Sequence, residues 1–245
     1  MCAFQELVER IKDFYRFSWQ EISGLIVAVI ITGFIFSFRD WGADQFDLII
    51  GLKNFILVTF IAAISFIFRL SAQKIYGLSA GHKPEFKVWW TGLLVSLFIA
   101  FISFGKLPLI FAGTMVSSFM VRQRLGEFRY GFSYRINGMI AMFGILGNLI
   151  LATFFAVGLY AYPESFFFSK GLWLNIIMAF CAVLPLPQLD GLNIFFGSRF
   201  LYGIAVFAVI LAAVLLLTNT MIGLILAIVI SAIVAIIYVL IGSEK

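Results

Sequence analysis

The sequence predicts an all-α polytopic membrane protein with about six transmembrane helices, a re-entrant or strand hairpin and an N-terminal amphipathic helix. Three observations predict this fold class. The 245 residues are 63% hydrophobic and 12% charged, whereas soluble domains are about 25% charged. Apolar runs long enough to cross a bilayer recur along the chain. No polar stretch is long enough to form a separate core, so residues 1–245 are expected to form a single integral membrane domain.

Residues 4–19 are expected to form the amphipathic helix. Apolar side chains recur there at helical spacing, with charged residues between them. Such a helix favours the headgroup layer of the membrane, and a cytosolic helix packed on a loop is the alternative. The same charges exclude the apolar core that a signal peptide needs.

Six spans are predicted along the rest of the chain. They cover about residues 22–38, 48–70, 137–160, 172–184, 199–218 and 220–241, of which the last two form a C-terminal helix pair at 199–241. The stretch 88–120 is ambiguous, because it is long enough for one span or for a re-entrant hairpin broken at residues 105–108.

The distribution of basic residues favours the re-entrant hairpin. If residues 88–120 enter and leave on one side, both termini and most Lys and Arg residues share a face, which the positive-inside rule makes cytoplasmic. A single span would move the four arginines of residues 121–135 to the other face. The rule also accounts for the net charge of +5, so nucleic-acid binding is not expected. The predicted location is the cell membrane.

An Asp-Gly stretch after a proline-broken apolar run is the first candidate site. Its marked residues are Pro185, Pro187, Asp190 and Gly191. Asp190 is the only acidic residue between positions 165 and 243. A carboxylate at the bilayer centre costs roughly 2.5–3.5 kcal/mol, which favours a functional role. The alternative is an ordinary turn at the interface, where a charge costs little.

Four motifs together resemble the site-2 intramembrane metalloproteases, particularly the compact archaeal type with six spans. The Asp-Gly stretch is similar to the family's Asn-x-x-Pro-x-Pro-x-x-Asp-Gly segment, whose Asp is the third zinc ligand. Residues Gly144 to Asn148 resemble its Gly-Pro-x-x-Asn motif. Residues 72–77 resemble the tail of its His-Glu-x-x-His helix, and residues 85–92 resemble the start of its membrane-embedded hairpin. The resemblance covers roughly residues 48–199.

The chain departs from this family at the residues that would bind zinc. Alignment on residues 72–74 puts the first zinc His at Ile64, the general-base Glu at Ser65 and the second His at Phe68. A shift of one residue does not restore the motif. Only Asp190 remains, whereas a catalytic zinc needs about three protein ligands and a base that activates its water. The interpretation is a degenerate site with no catalytic residue, no metal and no cofactor.

Substitute chemistry has few candidates. Cys181 and His82 are the other possible ligands near the supposed site, but a buried Cys is usually a small hydrophobe and His82 lies in a Gly-flanked loop. Ser71 and Lys74, three residues apart, could form a nucleophile–base pair. Asp190 itself is expected to bind backbone amides or to pair with a cation, for which Arg199 is the candidate.

The expected function is that of a catalytically inactive site-2 protease homologue, a pseudoenzyme that binds transmembrane segments as a membrane scaffold, adaptor or complex subunit. The resemblance implies that an extended segment adds to the edge of the hairpin by backbone recognition. The structural or segment-binding candidates are Gly144, Asn148, Pro185, Pro187 and Gly191. Partners would be the lipid bilayer and other membrane proteins. Two alternatives stay open: a small transporter or channel, and a zinc protease with unorthodox ligands.

Overall fold

A computed structural model describes residues 2–42, 46–119, 133–218 and 220–229. Its elements are α1 (Cys2–Phe14), α2 (Trp19–Ser37), α3 (Leu48–Ser79), β1 (His82–Val88), α4 (Trp90–Ile102), β2 (Gly113–Phe119), α5 (Tyr134–Ala161), α6 (Phe166–Val183), α7 (Asp190–Gly197) and α8 (Arg199–Leu217). Among the described residues, five helices are long and apolar enough to cross a membrane, namely α2, α3, α5, α6 and α8. The predicted all-α polytopic membrane fold is therefore confirmed. The sixth predicted span, 220–241, lies largely outside the described residues.

The N-terminal helix is present but shorter than predicted. It ends at Phe14, because the chain must turn before α2 begins. Ser18 caps α2 by accepting a hydrogen bond from the Glu21 N–H, while the Glu21 carboxylate accepts one from the Ser18 N–H. This capping box fixes the start of the first span. Arg10 donates to the Leu78 carbonyl at 3.2 Å, which holds α1 against the end of α3.

Helix α3 runs nine residues beyond the predicted end of its span, to Ser79. The prediction stopped at residue 70 because polar residues follow. In the structure Arg69, Gln73 and Lys74 are buried and hydrogen-bonded, so the helix continues through them. It ends before Gly81, whose φ of +78° is the left-handed conformation typical of a residue just beyond a helix.

The ambiguous stretch after β1 forms the predicted hairpin. Strands β1 and β2 pair antiparallel from His82 opposite Phe119 to Val88 opposite Gly113. The chain therefore returns to the sheet that it left. Between the strands, the 13 residues of α4 extend only about 20 Å, which is short of the roughly 30 Å hydrocarbon core.

The non-helical return from α4 to β2 bonds its backbone N–H groups to other parts of the protein. Backbone at membrane depth requires such partners, because no water is present there. The Phe111 N–H donates to Ser96 Oγ at 2.8 Å, and the Ile110 N–H donates to Cys181 Sγ at 3.3 Å. The Trp89 N–H donates to the Ala112 carbonyl at 2.9 Å. These bonds join the hairpin to α4 and α6.

A buried ion pair fixes the outer edge of β1. Lys74 Nζ lies 2.9 Å from Glu21 Oε1, and both side chains are 3% exposed. The same carboxylate oxygen accepts the Phe86 N–H at 2.7 Å. Lys74 also donates to the Arg16 carbonyl at 3.0 Å and lies over the Phe17 ring. The start of α2, the last turns of α3 and β1 are thus held together by one group of charges.

Candidate functional site

The Asp-Gly stretch forms the junction between α6 and α7. Helix α6 ends at Val183, and Pro185 and Pro187 prevent it from continuing because proline has no N–H to donate. Asp190 is the first residue of α7 and is fully buried. A Cβ on Gly191 would lie 2.2 Å from the carbonyl oxygen of Val183, so the start of α7 packs directly on the end of α6. This close packing carries the Asp190 side chain into the interior.

Gly191→Ala is expected to destabilise the protein by about 1–3 kcal/mol, because the added methyl group must push backbone apart. Gly203→Ala is the matched control, since a Cβ on this glycine of α8 meets no atom within 4 Å. The control is expected to be neutral or slightly stabilising. Thermal unfolding in detergent measures both. Equal effects of the two substitutions would contradict the packing argument.

Asp190 is bonded by side chains from two other elements. Arg69 Nη2 of α3 lies 2.7 Å from Asp190 Oδ2, and the two side chains are 6% and 0% exposed. Gln73 Nε2 donates to the same oxygen at 2.8 Å. Thr114 Oγ1 of β2 donates to Oδ1 at 2.6 Å, and Asn193 donates to Thr114 at 3.0 Å. Both carboxylate oxygens thus have hydrogen-bond donors, one of them a permanent cation.

The partner that sequence reasoning chose for Asp190 is wrong. Arg199 is exposed at the start of α8, and its guanidinium lies over the Phe195 ring. A cation did pair with Asp190, but it is Arg69, which is 121 residues away along the chain. The chain bends at Ser198 between α7 and α8, while Asp190 points into the bundle toward α3.

The burial pattern of α3 favours a zinc-motif register one residue later than the alignment on residues 72–74. Phe68 is 40% exposed and Ile64 is partly exposed, so neither belongs to the buried face of α3. That face carries Ser65, Arg69 and Gln73 at steps of four residues, and all three are buried. In this register the two zinc histidines of the resembling family would fall at Ser65 and Arg69, with the general-base Glu at the fully buried Phe66.

Ser65 lies on the site face of α3 but is bonded elsewhere. Its hydroxyl donates to the Ile61 carbonyl at 2.9 Å and accepts from Asn175 Nδ2 at 3.0 Å. Gly144 lies beside the site, since a Cβ there would meet the Gln73 amide at 2.4 Å and Asp190 Oδ2 at 3.1 Å. Because Gly144 has no side chain, the Gln73 amide and the Asp190 carboxylate occupy the space beside it.

Asn148 is the remaining candidate, on the buried face of α5. It is fully buried, and neither atom of its side-chain amide bonds to any group in the described parts of the chain. Buried amides are normally hydrogen-bonded. Its neighbour Gly147 packs against the Arg69 backbone, with 3.3 Å from an added Cβ to the Arg69 Cα. Asn148 therefore offers an NH2 group with two donors and a carbonyl acceptor.

The residues considered for alternative catalytic or metal sites are bonded to other groups. Lys74 is paired with Glu21, and Ser71 shares a 2.6 Å hydrogen bond with Tyr15, so they form no nucleophile–base pair. His82 is 7% exposed, contrary to the expected exposed loop residue, and its Nδ1 lies 2.9 Å from the Ala80 carbonyl. Cys181 accepts the Ile110 N–H.

The residues around Asp190 do not fit zinc. Arg69, Gln73 and Thr114 present hydrogen-bond donors to the carboxylate, and a guanidinium stays protonated and offers no lone pair to a metal. Within the described ranges, no three His, Cys, Asp or Glu residues come together as metal ligands would. A metal at Asp190 would have to displace Arg69 and leave its charge buried.

The fold and site define a multi-pass membrane protein with a buried, ion-paired Asp at the junction of two helices. One curated protein of the archaeon Methanocaldococcus jannaschii, described as "Putative zinc metalloprotease", is 28% identical over 194 residues, which cover 78% of this chain and 91% of the relative. This similarity over most of the chain supports a site-2 protease-like family. No family model and no solved structure matches the chain.

Proposed function

We propose that the protein is a non-catalytic homologue of the site-2 proteases that binds transmembrane segments as a membrane scaffold, adaptor or complex subunit. The observation that carries the proposal is the Arg69–Asp190 ion pair. A guanidinium here supplies the positive charge that zinc would supply, but it has no open coordination position and generates no hydroxide. In this proposal the Asp190 carboxylate is retained, whereas zinc-dependent hydrolysis is lost.

The strand pair supports binding of an extended segment. Because the Phe86 N–H bonds to Glu21 instead of β2, Phe86 and Met115 face each other as a non-hydrogen-bonded pair. The backbone groups of Met115, and of Ser117 two residues on, therefore point away from β1. We call this row the outer edge of β2. Glu21 blocks the other edge of the sheet, so an added strand would use the outer edge of β2.

Binding at that edge would place the segment beside the Asp190 network. Thr114, in the same strand, donates to Asp190, and Asn148 of α5 has a buried side-chain amide without a partner among the described residues. Recognition through main-chain bonds tolerates many side chains, which suits a scaffold for several membrane partners. The proposed topology has both termini in the cytoplasm, as the positive-inside rule favours.

A photo-crosslinking residue at Val116, which is 39% exposed on β2, is expected to capture intact membrane proteins from native membranes. The matched control is Leu94, which is 64% exposed and lies on α4 instead of β2. Mass spectrometry identifies the products. Identical products from both positions would contradict segment binding at β2. Partner fragments that disappear with a zinc chelator would instead establish a protease.

A further inference from the structure

The end of the bundle away from Asp190 contains a cavity of about 650 Å³. It opens between the end of α2, the turn after α4 and the start of α6. On α6 the cavity is lined by residues from Ser169 to Ile177, and its charged residue Lys170 lies about 20 Å along the axis from Val183, the end of α6 near Asp190. The cavity is therefore separate from the site described above, and the inference drawn from it does not rest on the proposed function.

The cavity is basic. Its lining includes three cations, Arg39, Lys106 and Lys170, and one carboxylate, Asp40. Lys170 Nζ lies 2.5 Å from Asp40 Oδ2 and donates to the Phe36 carbonyl, so these two charges compensate each other. Arg39 and Lys106 are exposed and form no ion pair with any described residue. Two positive charges therefore remain for a ligand.

The turn after α4 places these two cations together. Gly105 adopts φ +69°, and a Cβ there would lie 2.9 Å from the Arg39 Cγ. Only glycine allows both this backbone conformation and this approach. The Lys106 backbone follows directly and is held by its N–H bond to the Ser103 carbonyl at 3.0 Å. The backbone of the turn therefore places Lys106 in the chain directly after a glycine that packs on the Arg39 side chain.

Most of the remaining lining is apolar and includes residues typical of a membrane interface. Trp173 and Leu107 line the cavity and are 49% and 56% exposed. Tryptophan and basic residues are typical of the membrane–water interface. An arginine binds phosphate oxygens through its planar fork, and lysine adds a point charge. Cations beside an apolar surface at the interface can therefore bind an anionic headgroup while its acyl chain stays in contact with apolar side chains.

We infer that the cavity binds an anionic phospholipid. The phosphate lies between Arg39 and Lys106, and the first part of an acyl chain lies against Trp173 and Leu107. The Lys170–Asp40 pair forms the wall on the α6 side and holds the end of α2 to α6. The chemistry recognised is a phosphate ester joined to an apolar chain.

Native mass spectrometry of the full-length protein with added phosphatidylglycerol or phosphatidylcholine tests the inference. The protein is expected to retain phosphatidylglycerol in preference. Arg39→Gln/Lys106→Gln is expected to weaken phosphatidylglycerol binding by about thirtyfold, the effect of two interfacial cations. Lys53→Gln is the control, since Lys53 is an exposed cation near the start of α3 at the same end of the bundle. Both variants change exposed residues, so neither is expected to impair folding. Lys106→Glu alone is a second test, and it is also expected to weaken phosphatidylglycerol binding.

Three results would overturn the inference. The first is equal retention of the two lipids by the unmodified protein. The second is an equal loss of phosphatidylglycerol in the Lys53 control. The third is displacement of the lipid by millimolar inorganic phosphate, which would show that free phosphate is the ligand. Trp173→Ala separates the sources further, because it is expected to weaken lipid binding and to leave any phosphate binding unchanged.

Discussion

Arg69→Met is expected to destabilise the protein by about 3–5 kcal/mol, because it leaves Asp190 as an uncompensated buried charge. Asp190 is fully buried and Arg69 is its cationic partner, 2.7 Å away. Gln73 and Thr114 would remain as neutral donors, which cannot replace the lost charge. Methionine retains much of the arginine's apolar bulk, so the change measures mainly the charge.

A double-mutant cycle separates the ion pair from the packing. Asp190→Asn in the Arg69→Met background is expected to recover most of the lost stability, since a neutral amide can still accept from Thr114. Arg199→Met is the control, because Arg199 is an exposed cation and is expected to stay within about 0.5 kcal/mol of the unmodified protein. Equilibrium unfolding in bicelles gives the free energies. Independent, additive effects at Arg69 and Asp190 would refute the coupling.

The spans and the hairpin could be predicted because their signals are long. Apolar runs set the helices, and loop charges set the side on which residues 88–120 begin and end. The end of α1 was missed although its signal was visible, since Ser18 and Glu21 have the spacing of a capping box. The Glu21–Lys74 pair could not be predicted, because its partners lie 53 residues apart and nothing in local spacing joins them.

The register of α3 was harder to predict because the helix is apolar on nearly all sides. Such a helix has only a few polar residues that could mark its buried face. The prediction relied on a short motif tail and placed the site at Ile64, Ser65 and Phe68, whereas the buried face of α3 favours a register one residue later. The useful signal was the run Ser65, Arg69 and Gln73 at steps of four residues. Polar side chains on one face of a membrane helix point into the protein and find partners there.

That register gives Arg69 a more specific role in the proposed non-catalytic homologue. In the shifted alignment the arginine stands where the second zinc His would be, and it contacts the retained third ligand, Asp190. The arginine thus brings a positive charge to the carboxylate, which a metal ion bound by a neutral histidine would bring in a zinc site. The ion pair keeps α3, β2 and α7 joined through Thr114, which a metal centre would otherwise do.

Ser65→His/Arg69→His is therefore expected to create a zinc site with Asp190. Two histidines at i and i+4 on the buried face would supply two ligands, and removal of Arg69 frees the carboxylate as the third. The double variant is expected to purify with about one zinc per chain, three protein ligands being sufficient for a catalytic-type site. Metal analysis and the absorption spectrum of the cobalt-substituted protein measure the stoichiometry and the coordination.

Ile64→His/Phe68→His is the matched control for the register. It places the same i, i+4 histidine pair one residue earlier, on the partly exposed face of α3, where the pair cannot reach Asp190. This control is expected to bind no stoichiometric zinc, and Asp190→Ala should abolish binding in the first variant. Zinc in the control but not in the Ser65/Arg69 variant would support the register aligned on residues 72–74. Arg69 would then not correspond to a zinc ligand. Zinc in neither variant would show that Asp190 is committed to the polar network that Gln73 and Thr114 form around it.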